Sequence, residues 1–212
     1  MKHGVYILEE GTALTAPITS GSSIQVVIGT APVHMVEDPA AVVNVPILAN
    51  SAAEAMAALG YVDDFENFTL CQTMYATNNL FQVSPVVYIN VLDPSNHNKA
   101  MTTGSVEVEL LQAKIAEKGV IPSMLTVQNG DQTLVAGTDY TTEFDADGSL
   151  LINLISGGKG QNAQTLTVSG KVVDPSVVTK TDIIGSYNVA NGKETGMELI
   201  RQVYPKLGVV PG

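Results

Sequence analysis

The chain has 212 residues, enough for one large domain or two small ones, each with its own core. Its 21 acidic residues against 10 basic ones give a formal net charge of −11, and no Lys/Arg cluster is present to neutralise phosphates, which argues against nucleic acid as a partner. A single cysteine, Cys71, excludes an internal disulfide framework.

The charge is uneven along the chain. Residues 1–98 hold one basic residue, Lys2, against nine acidic ones, whereas residues 99–212 hold nine basic against twelve acidic. Met1–Glu10 has one lysine and then acidic residues, without the apolar run of a signal peptide. No apolar stretch approaches the ~20 residues needed to cross a bilayer. A soluble, cytoplasmically made protein is therefore the expectation, and Asn67-Phe68-Thr69 reads as a coincidental glycosylation sequon.

His3–Leu8 (HGVYIL) is extended in character and is followed by a long run without charge from Gly11 to His34. Ser23–Gly29 is a β-branched run bounded by small residues and predicts a buried strand, ended by Gly29-Thr30-Ala31-Pro32. Ser51–Gly60 predicts a helix, with Ser51 and Glu54 as a capping box and Gly60 as the stop. A second helix is expected over Phe68–Leu80, with Cys71, Met74 and Tyr75 on one face. Val86–Leu92 (VVYINVL) is a continuous apolar strand of the kind buried on both faces of a sheet. Strand, two helices and strand form an α/β layer pattern.

Residues 95–104 have the polarity of a linker. Beyond them the text becomes short alternating runs punctuated by Asn129-Gly130 and Asp147-Gly148, turn pairs that tolerate positive φ. Strands are expected over Leu125–Gln128, Leu150–Ile155 and Thr165–Val173. Glu107–Lys118 has helical propensity but alternates like a strand, and is read as mostly strand. The chain then returns to α/β style. Asn191–Tyr204 predicts a helix with Met197, Ile200, Val203 and Leu207 at helical spacing, Asn191 and Glu194 as its capping box and Pro205 ending it. Val209-Val210 opens a further strand, so the α/β sheet is expected to be incomplete in this chain.

Candidate chemical groups are few. Cys71 with His3, His34 or His97 would suit a nucleophile–base pair, but Cys71 falls on the apolar face of a predicted helix, where an inert thiol is the ordinary outcome. The three histidines lack metal-ligand spacing. Gly157-Gly158-Lys159-Gly160 lacks the Ser/Thr and helix of a phosphate loop and reads as a flexible connection. Asp145-Ala146-Asp147-Gly148 resembles the start of a calcium loop, yet Ile155 stands near the closing position where an acid is needed; a plain turn is favoured. Asp63, Asp64 and Glu66 read as a solvated loop or docking patch more than as an acid/base pair. No cofactor or metal site is expected.

Four separated segments resemble the contractile-tail sheath proteins of phages and phage-like bacteriocins. They are His3-Gly4-Val5-Tyr6 with Val26–Val33 (VVIGTAPV), Leu59–Leu70 (LGYVDDFENFTL), Pro85–Pro94 (PVVYINVLDP), and Thr181–Leu199, where TDIIG precedes NGKETGMEL. Their order and spacing match as well as their wording, and the set spans nearly the whole chain. The resemblance implies an α/β core interrupted by a small, mostly-β inserted domain. Its parts are a first core portion over 1–98 with an extended arm, a linker over 99–104, the β-rich insert over 105–180, and a return to an incomplete core over 181–212. It further implies a non-enzymatic subunit of a phage or phage-like particle, made in the bacterial cytoplasm. Such subunits stack in hexameric rings around an inner tail tube protein and contract by rearrangement, with neither nucleic acid nor membrane as partner. His3, Gly4, Val5, Tyr6, Ile7 and Leu8 would form an inter-subunit arm that adds a strand to a neighbour. The family's proteins continue well beyond the point equivalent to Gly212. Two other classes fit less well: a β-domain binding or attachment module, short of aromatics with only Tyr140 and Phe144, and an α/β enzyme, for which Gly29-Thr30 is too little.

Overall fold

A computed structural model describes residues 23–212. The expected arm, His3–Leu8, lies outside the described residues. The fold is mixed α/β with substantial strand content, as expected at that level.

A three-stranded sheet forms the first layer. Strand β1 (Gln25–Gly29) lies parallel to β3 (Val86–Asn90), which pairs antiparallel with β2 (Pro46–Ala49) on its other side. All five residues of β3 are buried, in keeping with an apolar run covered on both faces. Helix α1 (Ala52–Leu59) packs on this sheet, placing Ala55 and Leu59 in a core with Val33, Leu70, Met74 and Tyr88. The Ser51 hydroxyl caps α1 by accepting from the Glu54 N–H. The Glu54 carboxylate reaches one residue further back than a capping box requires, to the Asn50 N–H at 2.8 Å.

Helix α2 (Thr69–Met74) runs on as a π-helical turn over Tyr75–Leu80. Leu70, Cys71 and Met74 are buried, but Tyr75 is not on their face. The wider π turn carries it outward, 38% exposed, against Phe65 at 5.8 Å between ring centroids.

The chain then leaves the first layer along β4 (Asn98–Ala100), inside the stretch expected to be a polar linker. Its polarity is that of an exposed strand: β4 pairs antiparallel with the returning β12 (Lys171–Val173), and Met101 just beyond is buried. Between them lies a seven-stranded antiparallel sheet built from β5 (Gly104–Glu109), β6 (Gln112–Lys118), β7 (Thr126–Asn129), β8 (Gln132–Thr133), β9 (Tyr140–Phe144), β10 (Ser149–Leu154) and β11 (Thr165–Ser169). Its spatial order is β8-β7-β11-β5-β6-β10-β9. The sheet curls until Ala136, just past β8, bridges Tyr140 of β9 at the opposite edge. Inward residues alternate with outward ones, as in β6 (Ala113, Ile115) and β11 (Leu166, Val168), and fill one apolar core with Leu150 and Ile152. Glu107–Lys118 is accordingly strand. Thr165–Val173 is divided at Gly170 into two strands that serve different sheets.

The returning chain forms α3 (Lys180–Ile184), a small hairpin of β13 (Tyr187–Asn188) and β14 (Lys193–Glu194), and α4 (Ile200–Leu207). The helix expected over Asn191–Tyr204 is therefore shorter and later. Asn191 lies in the hairpin turn, where its side chain accepts from Lys193 N–H, and Glu194 is a buried strand residue ion-paired with Arg201 at 3.0 Å. Pro205 lies inside α4 rather than beyond it. Leu199, just ahead of α4, and Val203 within it are nonetheless buried, and Pro211 then bridges Ile24 in parallel, extending the first sheet beyond β1.

The β5–β6 hairpin turns through Leu110 and Leu111 at φ 52° and 66°, a geometry that Asn-Gly adopts with much less strain. Leu110 is fully exposed, so no packing offsets the cost. Replacing the pair (Leu110→Asn with Leu111→Gly) is expected to stabilise the fold by about 1–2 kcal/mol in chemical denaturation. An unchanged or lowered midpoint would show that the leucines are held there by an uncounted contact.

Candidate functional site

The groups singled out for chemistry do not converge. Cys71 is completely buried, and burial pushes its thiol up to about 11, far from a nucleophile at neutral pH. His34 is 3% exposed, with its ring stacked on Phe68 at 6.1 Å and edge-on to Phe144 at 5.6 Å. Burial lowers its pKa to about 4, and its Nδ1 has no hydrogen-bond partner. His97 is used locally, its Nδ1 accepting from the Asp93 N–H at 2.9 Å. His3 lies outside the described residues. Among the described residues no cluster of three metal-ligating side chains forms.

The acidic loop is likewise local. Asp63 accepts from the Tyr61 hydroxyl, and Asp64 accepts from the Asn67 N–H and amide. Asp145 and Asp147 sit in a turn closed by Gly148 N–H to Asp145 O. Lys114 pairs with both, at 2.6 Å and 3.1 Å, and Lys118 with Asp147 at 2.9 Å. These lysines hold both carboxyls below the usual carboxylate range. In the glycine run, Lys159 donates its backbone N–H to buried Asp139, whose other oxygen accepts from Val135 N–H, so the segment ties down a loop across the curled sheet.

What the fold does bring together is a buried polar knot that motif reading passed over. Asn90, at the end of β3, is completely buried. Its side-chain oxygen accepts from the N–H groups of Ala31 (3.0 Å) and Leu92 (3.1 Å), and its amide donates to Leu92 O (2.8 Å). Thr30 and Thr69 clasp one another beside it. The Thr30 N–H donates to the Thr69 hydroxyl and the Thr69 N–H to the Thr30 hydroxyl, both at 3.1 Å, while the Thr30 hydroxyl donates to Asn67 O at 2.8 Å. Gly29 permits the approach, because a side chain there would overlap the Thr69 hydroxyl. On the far side Asn44, at φ 53°, donates its N–H to Asn90 O (2.8 Å) and accepts the Gly196 N–H on its side chain (3.0 Å). Gly196 in turn packs directly on Gly185, where neither position has room for a β-carbon.

This knot joins GTAP, ENFTL, YINVLDP and TDIIG…ETG, segments far apart in sequence. One signal was available in the sequence: an asparagine within an apolar strand must find partners for its amide. The partners themselves, Thr30, Asn44 and Thr69, carry no signature of their own.

A second junction joins the two sheets. Phe68, Cys71 and Leu92 of the first layer pack with Ile121 and Val173 of the β-rich region, and His34 meets Phe144 of β9 alongside. Cys71 therefore serves as packing between layers.

Comparison with known protein families, with curated proteins and with solved structures finds no match.

Two outcomes check the knot and the junction. Asn90→Leu strands the Ala31 and Leu92 N–H groups away from water and is expected to cost about 3 kcal/mol or more in denaturant unfolding. A cost below 1 kcal/mol would mean that the knot is ornamental. For His34, neutral in the fold down to about pH 4 but protonated below about 6.5 when unfolded, stability is fully present above pH 6.5. It falls as the pH drops from there to 4, by about 3 kcal/mol in total. His34→Leu is expected to flatten that part of the pH–stability curve. A slope retained in the variant would assign it to other groups.

Proposed function

We propose that this chain is a structural subunit, or the amino-terminal portion of one, of a contractile tail sheath. The observation that carries the reading is the polar knot. The segments resembling sheath proteins are the ones that Asn90, Thr30, Thr69, Asn44 and Gly196 lock to each other, so their wording specifies a single structural junction. Recurrent wording at buried joints, rather than around a reactive group, suits a protein whose work is mechanical.

The path of the chain supports the second element of this reading, an inserted β domain on an α/β core. Chain leaves the first layer along β4 and returns along β12, with Asn98 opposite Val173, so the whole β-rich region hangs from two adjacent strands. In a sheath such a domain faces outward while the α/β layer stacks around the inner tube. Subunits assemble in a strained extended lattice and then slide into a shorter, wider one; a bistable packing with stored energy is the physical requirement. His3–Leu8 is the proposed arm to a neighbouring subunit. The remaining partners are other sheath subunits and the inner tube protein, and no catalysis is involved.

Gold-labelled antibody against the chain, viewed on tailed particles from the producing cell, tests the reading. Regular labelling along the tail shaft, shortening with it on contraction, is the expected result. Labelling confined to a tip or baseplate would move the role to attachment. Bare particles, with epitopes confirmed accessible, would end the sheath proposal.

A further inference from the structure

The returning segment presents an apolar face that nothing among the described residues covers. Ile184 at the end of α3, Met197 ahead of α4, and Val210 beyond it are 56%, 49% and 53% exposed. With Ile200 and Pro211, Ile184 and Met197 line a shallow cavity of about 490 Å³, flanked by Glu198 and Arg201. Contiguous apolar surface of this kind, as opposed to single scattered side chains, marks a place where something packs.

The course of the chain bears on what could pack there. Pro211 both lines the cavity and bridges Ile24, while Ile24 donates its N–H to Val210 O and accepts the Gly212 N–H, each at 2.9 Å. Ser23, the first described residue, therefore stands at the rim of the cavity, and residues 1–22 attach to the fold at that point. Within those residues Val5-Tyr6-Ile7-Leu8 is the longest uninterrupted apolar run. The 14 residues between Leu8 and Ser23 can span up to ~50 Å, so reach is not limiting. Charge plays no part in the choice, since Arg201 at the cavity is already paired with Glu194 and Glu198. A tethered segment also acts at a high effective concentration, which lowers the affinity that the contact must supply.

We propose that in the free chain Val5–Leu8 folds back in cis and seats on the face formed by Ile184, Met197, Ile200 and Pro211. The inference concerns the isolated chain and stands whether or not the sheath reading survives. If both hold, assembly requires the segment to leave its own subunit before it can reach another.

Cysteine cross-linking of the full chain tests this. Buried Cys71 stays silent, so a short bifunctional maleimide on the Ile7→Cys/Met197→Cys variant reports only the introduced pair. The expected result is a predominantly intramolecular product in dilute protein, absent from either single variant. Products only between copies would assign the face to a second chain, and no product would remove the segment from the face; either overturns the proposal. Hydrogen exchange on the unmodified chain guards against a misfolded variant. Removal of residues 2–10 is expected to abolish protection at Met197–Arg201 that the full chain shows. Equal exchange in the two chains would also overturn it.

Discussion

The fold depends on one polar side chain placed where apolar ones are the rule. β3 is buried on both faces, and at its end Asn90 must satisfy its amide without water. It does so by fixing the turn after β1 and its own following loop, while its backbone carbonyl holds Asn44. An apolar residue there would pack, but would leave the donors of two loops without acceptors. The cost of burying an amide is thus offset by specificity: the loops have one arrangement in which every donor is paired. The Thr30–Thr69 clasp extends the same logic to the start of α2, and Asn44 extends it to the segment that returns from the β-rich region.

The β-rich region is stabilised differently. Its core is filled by alternating side chains from a curled antiparallel sheet, and its polar ties, such as Asp139 to the Val135 and Lys159 N–H groups, lie at its loops. The two regions meet through a small apolar cluster around Phe68, Leu92, Ile121 and Val173, and through the His34 ring against Phe144. That junction is apolar except for one imidazole, and protonating that buried ring in mild acid weakens the contact.

Much of this was legible in the sequence wherever a local pattern decided the outcome. The β-branched run into Gly29, the Ser51 cap, the apolar strand at Val86 and the Asn129-Gly130 and Asp147-Gly148 turns all lie where the pattern puts them. However, β1, expected to be buried, is covered fully only at Gly29, because it lies beside β3 at the side of a three-stranded sheet. Alternation prevailed over helical propensity in Glu107–Lys118 because one face of each strand fills the curled core. Reading failed where a tertiary partner decided. In NGKETGMEL the local hairpin signal, Asn191-Gly192, was outweighed by the apolar spacing beyond it; pairing of Lys193-Glu194 with Tyr187-Asn188, and the contact of Gly185 with Gly196, delay the α-helix to Ile200. Asn98–Ala100 reads as linker because its strand partner, Lys171–Val173, lies far along the chain. Apart from the asparagine inside an apolar strand, the knot was invisible for the same reason, since its other members are ordinary residues whose chemistry appears only when distant segments meet.

The pairing of β4 with β12 bears on how the molecule carries load. Both strands run from the α/β layer into the curled sheet, so a pull separating the two regions acts along both in the same sense. Tension is then shared by two covalent backbones in parallel, and the hydrogen bonds between them lie across the load path. Such a tether resists stretching with bond strength, while bending about its two-strand width meets only weak opposition. Rotation of one region against the other is therefore opposed by the apolar cluster beside the tether, and a push that parts Phe68 from Ile121 frees it.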